Sequence, residues 1–235
     1  MKQSNTKTIL PIVIIACQVF QDLLNRFIPS GLNGNISYMD YGLHSTPNKL
    51  ARALQESIDR IEQPSLVVLG YGLCGNGLNG IKAGKHTLLV PRADDCIALF
   101  LGSYAAYRKE FDSVPGTYYL TKGWLESGSN PLSEYQKYEK RLGAEKAMWV
   151  MDQQYQHYKR LVFVAHSQED LDVYRPQAQE VAHFCERWGM RYEELSGSDL
   201  FISKLIEVTY SPEKASEDFV LVQPGGELKQ ADFIR

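Results

Sequence analysis

Residues 65–80 read SLVVLGYGLCGNGLNG, and this stretch decides the fold class. Residues 65–70 form a short, almost wholly apolar run, which is typical of a strand buried on both faces. The glycines that follow allow tight turns and close approach of the backbone. In parallel α/β sheets, the loops at the carboxyl ends of the strands carry the ligand sites. Cys74 lies inside this loop.

Short apolar runs and helical patterns alternate along the rest of the chain. Strands are predicted at residues 9–16, 36–42, 65–70, 86–90, 118–121, 161–165, 191–195 and 219–222. Helices are predicted at residues 18–28, from residue 46 onward, and at 95–111, 135–158 (broken near Gly143), 171–188 and 199–208. The alternation predicts an α/β fold with a mostly parallel sheet flanked by helices on both faces, Rossmann-like and doubly wound.

Length and composition fit one globular domain. The 235 residues are 44% hydrophobic and 23% charged, as in an ordinary globular protein. We expect a single α/β domain over residues 1–235, with an irregular, mainly helical insertion at about 115–158. The Gly/Ser-rich segment 122–131 is predicted to be a surface loop. The net charge of −3, without a basic stripe, argues against a nucleic-acid partner.

The apolar run before Cys17 has two interpretations. Residues 9–16 are too few to span a bilayer, and a helical pattern follows at once, which is typical of a strand that begins a βαβ unit. The alternative is a lipoprotein leader, because residues 14–17 (IIAC) resemble a lipoprotein cleavage site. We favour the strand. Four cysteines are also too few for a secreted disulfide scaffold, so we expect a soluble cytoplasmic protein without a membrane partner.

Three cysteines and one histidine follow four successive predicted strands. Cys17 follows the first strand, His44 the second, Cys74 the third and Cys96 the fourth. Because the carboxyl ends of parallel neighbours share one edge of a sheet, these side chains could converge. Thiolates bind zinc and iron–sulfur clusters. The sequence therefore predicts a metal site of the three cysteines, with His44 as a weaker candidate ligand, holding an iron–sulfur cluster or zinc with one open position.

Two other interpretations of the cysteines remain open. Free cysteine is among the most buried residue types, so each thiol could be a small core side chain. We expect this of Cys185, which lies in an apolar helical stripe. The second interpretation is metal-free thiol chemistry, in which Cys96 is a nucleophile or redox thiol and Cys74 resolves it. A helix beginning at Cys96 would lower the pKa of its thiol.

The same edge of the sheet carries candidates for substrate binding and catalysis. The catalytic candidates are Cys96, Arg92, which could hold an anionic substrate, and Asp95, whose simpler role is to cap the following helix. The substrate-binding candidates are Gly72, Gly75, Asn76, Gly77, Thr121, Trp124 and His166. The glycine loop lacks a Walker lysine pattern and the helix that should follow a Rossmann G-x-G-x-x-G. No nucleophile elbow is present, which argues against a Ser-His-Asp hydrolase.

Three segments resemble the domain of unknown function 1638 family of bacteria and archaea. They are residues 71–77 (YGLCGNG), 91–103 (PRADDCIALFLGS) and 115–124 (PGTYYLTKGW). Cys17 and His44 fit the same pattern, so the resemblance covers about residues 9–222. It implies an α/β domain with the cysteine motifs at its heart, and it supplies no reaction. Proximity of some members to genes of corrinoid-dependent methyl transfer implies one-carbon or corrinoid metabolism, with a corrinoid as a candidate cofactor.

These observations lead to two functional hypotheses. In the first, a metal- or iron–sulfur-dependent cytoplasmic protein uses the three-cysteine site to act on a small anionic substrate. In the second, the protein is a non-catalytic accessory that binds a corrinoid, a metal or a methyltransferase partner. The sequence does not decide whether the protein is an enzyme.

Overall fold

The computed structural model describes residues 10–235, and its strands and helices lie close to the predicted ones. In chain order they are β1 (Ile12–Cys17), α1 (Gln21–Phe27), β2 (Ile36–Met39), α2 (Pro47–Asp59), β3 (Leu66–Gly70), β4 (Thr87–Pro91), α3 (Ile97–Phe100), α4 (Tyr104–Ser113), β5 (Thr117–Thr121), α5 (Lys122–Glu126), α6 (Pro131–Leu142), α7 (Ala144–Tyr155), β6 (Arg160–Ala165), α8 (Gln168–Cys185), β7 (Arg191–Ser196), α9 (Leu200–Thr209) and β8 (Phe219–Val222). Residue 9, the first of the predicted strand 9–16, lies outside the described residues.

The described strands form two sheets. One has five strands in the order β2-β1-β3-β4-β8, in which only β8 is antiparallel to its neighbour. The other has three parallel strands in the order β5-β6-β7. The predicted α/β class with mostly parallel strands is confirmed. From β1 the chain first adds β2 on one side and then β3 and β4 on the other side. The carboxyl ends of β1 and β3 therefore form the crevice where ligands bind in such folds.

The strand β6 contributes to both hydrophobic cores. Val162 and Val164 pack into the larger core, which surrounds the five-stranded sheet. Leu161 and Phe163 pack into a smaller core that also contains Cys185. Because successive side chains of a strand point to opposite faces, one short strand supplies both cores. The expectation that Cys185 is a core residue is confirmed, since its side chain is fully buried.

Two predicted segments differ from the structure. The predicted helix 95–111 is broken into α3 and α4 at Gly102, whose φ of +83° ends the first piece, and Ser103 caps the second. The predicted surface loop 122–131 begins as helix α5, and Gly123, Leu125 and Asn130 are buried. Its glycines and serines indicated a loop, but they serve close packing instead. The predicted break at Gly143 is confirmed by its φ of +80°.

The run Ile12–Cys17 is the strand that the sequence analysis favoured over a cleaved leader. It lies inside the five-stranded sheet, paired with β2 on one side and β3 on the other. None of the helices in residues 10–235 is long and apolar enough to cross a membrane.

Candidate functional site

The three predicted cysteines line one cavity of about 330 Å³, which we call the thiol cavity. Cys17 is the last residue of β1, Cys74 lies in the loop after β3, and Cys96 follows β4. The strand-end positions therefore bring the three residues together at the crevice between β1 and β3. Other residues that line the cavity are His44, Tyr71, Gly75, Asp95, Tyr118, Tyr119, Trp124 and Tyr158.

Cys74 and Cys96 are in direct contact, with their Sγ atoms 3.3 Å apart. Both are free thiols, since a disulfide bond is only about 2.05 Å long. Cys17 lies close enough to Cys96 for electrostatic repulsion between their thiolates to raise the pKa of Cys17. Among residues 10–235, however, no three His, Cys, Asp or Glu side chains are already arranged around a common point that could hold a metal ion. The site is thus a contacting pair with a third thiol beside it.

The loops after β3 and β4 are joined by backbone hydrogen bonds. The Leu73 N–H donates to the carbonyl of Ala93 at 2.8 Å, and the Cys74 N–H donates to that of Asp94 at 3.1 Å. Gly72 allows this approach, because a Cβ atom there would lie 2.5 Å from the carbonyl carbon of Asp95. The backbone therefore fixes the spacing of the two loops that carry Cys74 and Cys96.

The glycine loop turns sharply at Cys74. The backbone is left-handed at Cys74 (φ 48°), Gly75 (φ 61°) and Asn76 (φ 72°). A left-handed residue other than glycine costs about 1–2 kcal/mol, and such strain concentrates at functional sites. Asn76 is exposed, and Gly77 packs against Leu50, so these two predicted substrate residues shape the loop rather than line the thiol cavity.

The surroundings of Cys17 and Cys96 raise the pKa values of both thiols. Burial raises the pKa of Cys17 to about 12. Contact with the Cys74 thiol, and then burial, raises the pKa of Cys96 well above its usual range. The expected lowering of the Cys96 pKa by a helix N-terminus is therefore wrong, because α3 is one short turn and these two effects outweigh it. The nearby backbone N–H groups of Val19 and Gly72 favour the thiolates of Cys17 and Cys96 and lower these pKa values in part.

Tyr71 carries a buried hydroxyl group beside the thiols. Its side chain is 2% exposed, and its oxygen has no hydrogen-bond partner among the described residues. Burial raises its pKa, and the nearby Cys17, Cys96 and Cys74 raise it further. An unsatisfied buried hydroxyl costs about 1–3 kcal/mol, and its position at the cavity wall makes it a candidate hydrogen-bond donor to a ligand.

Asp95 lines the cavity, whereas Arg92 does not. The Asp95 Oδ1 atom accepts the Ile97 N–H at 2.7 Å, and Oδ2 accepts the Tyr107 hydroxyl at 3.1 Å. Asp95 thus caps α3, as the simpler interpretation predicted, and its burial raises the pKa of its carboxyl group. Arg92 instead donates to the carbonyl of Ile234, near the end of the chain. The structure does not bring it to the thiols.

His44 and Trp124 border the cavity on its outer side. The His44 Nδ1 atom donates to the carbonyl of Tyr41 at 2.6 Å, and the His44 and Trp124 ring centroids are 6.2 Å apart. His44 is exposed, so it lies at the entrance rather than among the buried sulfurs.

The comparisons with known proteins assign the chain to a family. A family model described as "Protein of unknown function (DUF1638)" matches residues 38–206, which include Cys74, Cys96 and their joined loops. The chain belongs to this family. No curated protein and no solved structure matches the chain. Cys17 precedes the matched residues, whereas Cys74, Cys96 and the aromatic residues of the thiol cavity lie within them.

In this DUF1638 protein, two predicted substrate residues line a different cavity. Thr121 and His166 contribute to a cavity of about 240 Å³ at the ends of β5 and β6, which we call the charged cavity. The Thr121 Oγ1 atom is buried and has no partner among the described residues. The His166 Nε2–H donates to the carbonyl of Phe100 at 3.1 Å, and burial lowers the pKa of His166. Other charged residues that line this cavity are Asp22, Arg26, Lys122, Glu126 and Asp170.

The sequence analysis missed the aromatic residues of the thiol cavity in this DUF1638 protein. Tyr71, Tyr118, Tyr119 and Tyr158 all line it, although none of them was a candidate site residue. A local signal existed for three of them. Tyr71 directly follows β3, and Tyr118 and Tyr119 lie in the segment 115–124 that carried the family resemblance.

Proposed function

We propose that this DUF1638 protein is a cytoplasmic metalloprotein that binds a thiophilic metal ion at the thiol cavity. Cys74 and Cys96 would be its ligands, Cys17 a third ligand, and the remaining position would face a small molecule in the cavity. The observation that carries the proposal is the 3.3 Å separation of the Cys74 and Cys96 sulfurs. Two thiols from different loops that are already in contact need little movement to share one ion.

The sulfur separation favours a single ion over a cubane cluster. Two thiolates bound tetrahedrally to one zinc ion, each at about 2.3 Å, have sulfurs about 3.8 Å apart. In an iron–sulfur cubane the cysteine sulfurs bind different irons and are therefore farther apart. Zinc thus fits the pair with a small outward movement, and an iron–sulfur cluster would require the loops after β3 and β4 to separate.

The surroundings of the sulfurs also support the proposal. The backbone N–H groups of Val19 and Gly72 favour the thiolates of Cys17 and Cys96, as outer-shell donors commonly do for metal ligands. A bound cation reverses the pKa preference of the cavity, because a coordinating thiol is deprotonated outright. The Tyr71 hydroxyl would then have a thiolate or a ligand atom to donate to.

The substrate part of the hypothesis changes. Arg92 was expected to hold an anion, but its guanidinium contacts Ile234. Among the described residues that line the thiol cavity there is no lysine or arginine. A bound metal would bind a donor atom of the ligand, while Asp95 and Tyr71 orient it. The corrinoid and methyltransferase partners implied by the resemblance stay predictions.

Metal analysis of anaerobically purified protein tests the proposal. We expect about one zinc ion per chain, with no visible absorbance. Cys74→Ala and Cys96→Ala should lose the metal. Cys185→Ala is the matched control, because Cys185 is also a buried free cysteine but lies in the smaller core. It should keep the metal.

Three outcomes would change the proposal. A charge-transfer band with several irons per chain would replace zinc by an iron–sulfur cluster at the same cysteines. Wild-type protein without stoichiometric metal, even after anaerobic zinc addition, would contradict it. Equal metal loss in Cys185→Ala and Cys96→Ala would show that the loss follows general destabilisation, and the site would then have to be located by cobalt substitution and its thiolate bands.

The same contact favours a second candidate function, reversible dithiol chemistry. Sulfurs 3.3 Å apart can form a disulfide when two electrons and two protons pass to an oxidant. Treatment of metal-free protein with diamide, which accepts both, should join Cys74 to Cys96 and be reversed by dithiothreitol. Peptide mapping that finds Cys74 and Cys96 still free after this treatment would contradict this candidate.

A further inference from the structure

We propose that the thiol cavity binds a small organic cation of the methylated ammonium class against its aromatic wall. The inference rests on the proposed function, because it names the ligand class of the same site. It is carried by three features of the cavity: its aromatic lining, its unpaired carboxylate and its size.

The aromatic wall consists of Trp124, His44 and Tyr119, and Trp124 and Tyr119 lie on the side of the larger core. The Trp124 and His44 ring centroids are 6.2 Å apart, and the Trp124 and Tyr119 side chains are half-buried. The rings of Tyr118 and Tyr158 pack against the smaller core and do not belong to this wall. Tryptophan and tyrosine attract cations through the negative charge of their ring faces, and cages of such rings recognise quaternary ammonium groups.

The charge of the cavity favours a cation over an anion. The Asp95 carboxylate accepts hydrogen bonds from two neutral groups, the Ile97 N–H and the Tyr107 hydroxyl. It makes no ion pair with a lysine or arginine in the described part of the chain. A cationic ligand would supply the missing countercharge in a low-dielectric site. Three thiolates around one divalent ion would add a further net negative charge.

The size of the cavity restricts the ligand to a small molecule. Its volume of about 330 Å³ is at the lower end of the range of about 300–1,000 Å³ for small-molecule sites. The charged cavity is less suited to the same ligand, because two of its carboxylates, those of Asp22 and Asp170, are already paired with Lys122 and Arg26. Methylated ammonium ions combine the small size, the positive charge and the apolar surface that the aromatic wall requires.

Calorimetric titration with choline tests the proposal. The comparison ligand is the neutral isostere in which carbon replaces the quaternary nitrogen. Choline should bind at least about tenfold more tightly, because only the charge differs. The titration is made on both metal-free and zinc-loaded full-length protein. Equal affinity for choline and its isostere would overturn the proposal.

Three variants locate the binding. Trp124→Leu and Asp95→Asn should each weaken choline binding by at least about fivefold. The amide oxygen of Asp95→Asn can still accept the Ile97 N–H, so α3 keeps its cap. Trp149→Leu is the matched control, because Trp149 lies on α7 and is 65% exposed. It should leave the affinity unchanged.

The result is separable from that of the metal experiment. Choline binding in a protein that takes up no metal would remove the proposed function and leave the cation site intact. Zinc binding without a preference for choline over its isostere would remove the cation site and leave the proposed function intact. If Trp124→Leu fails to fold, the isostere comparison on the wild-type protein and the Asp95→Asn variant still decide the matter. Unchanged affinity in folded Trp124→Leu would contradict the assignment of the wall.

Discussion

The charged cavity and the thiol cavity share Val19 as a wall residue, yet their polar groups are compensated differently. In the charged cavity, Lys122 contacts Asp22 and Asp170, and Arg26 contacts Asp170 and Asp199. These pairs link α1, α5, the first turn of α8 and the start of α9. The chain itself supplies partners for most of the charges, so this cavity serves as a junction between elements of both sheets.

In the thiol cavity the polar groups have no such partners. The sulfurs of Cys74 and Cys96 face each other, and the Tyr71 hydroxyl is buried without a hydrogen bond among the described residues. Asp95 is satisfied only by neutral donors. Charged residues around a cavity are the ordinary sign of a binding site, but here they mark the region whose charges are mostly paired. The thiol cavity instead holds a thiol pair, a buried hydroxyl and a carboxylate without a charged partner among the described residues.

The largest expected effect is on thiol reactivity in the metal-free protein. Because burial raises the pKa of Cys17 to about 12, its alkylation by iodoacetamide near pH 8 should be on the order of a thousandfold slower than in unfolded protein. The folded state holds the proton more tightly, so this contribution to stability is present below the ordinary cysteine pKa and is lost as pH rises from about 9 to 12. Mass spectrometry of the alkylated peptides measures the rate. Rapid native alkylation of Cys17 would contradict the burial of the thiol cavity.

The next largest effect is the loss of stability when a methyl group is added at a closely packed glycine near each cavity. Gly72→Ala should lower the free energy of unfolding by about 3 kcal/mol, because the new methyl group would meet the Asp95 backbone. Gly123→Ala, in the charged cavity, should cost about 1–2 kcal/mol, since its nearest contact is the Val19 side chain, which can adjust. Gly31→Ala is the control, with nothing within 4 Å. Urea unfolding measures all three. A larger loss of unfolding free energy for Gly123→Ala than for Gly72→Ala would contradict this prediction.

A smaller effect is expected on the pH dependence of the unfolding free energy, to which His166 in the charged cavity contributes. Burial lowers the pKa of His166, so its contribution to stability is present above its ordinary pKa of about 6.5 and is lost as pH falls. His166→Gln should therefore flatten the decline of unfolding free energy between about pH 7 and pH 5. His183→Gln on α8 is the control, because its side chain is exposed. Identical slopes for the wild type and His166→Gln would rule out this role.

The smallest effect should come from the ion pairs of the charged cavity. Arg26→Gln should cost less than about 1 kcal/mol, and less still in high salt, because the Arg26 side chain is 40% exposed. The measurement is urea unfolding at low and high ionic strength. A loss of several kcal/mol would show that these charges are not compensated by their other neighbours, and the contrast between the two cavities would then fail.

The fold class and the grouping of the cysteines could be predicted because both depend on local patterns. Apolar runs located all eight described strands. The rule that parallel strands end at a common edge then grouped Cys17, Cys74 and Cys96. The division into two sheets could not be predicted in this way, because hydrophobic periodicity identifies a strand but not its neighbour.

The errors concern contacts between residues far apart in sequence. Arg92 is held by Ile234, which is 142 residues away along the chain. Thr121 is the last residue of β5 and His166 follows β6, so they meet at the edge of the second sheet and not at the thiols. The aromatic wall depends on how β5 and α5 approach the first sheet, and no spacing in the sequence encodes that approach.

The strand order has a consequence for synthesis on the ribosome. The four parallel strands that carry the cysteines, β2-β1-β3-β4, are complete once residue 91 has emerged, and Cys96 follows shortly afterwards. Tyr119 and Trp124 of the aromatic wall are translated later. The nascent chain can therefore place the cysteines at the edge of the sheet before these residues of the aromatic wall have been translated. A metal ion or an oxidant that reaches the chain at that stage meets the cysteines without crossing the aromatic wall.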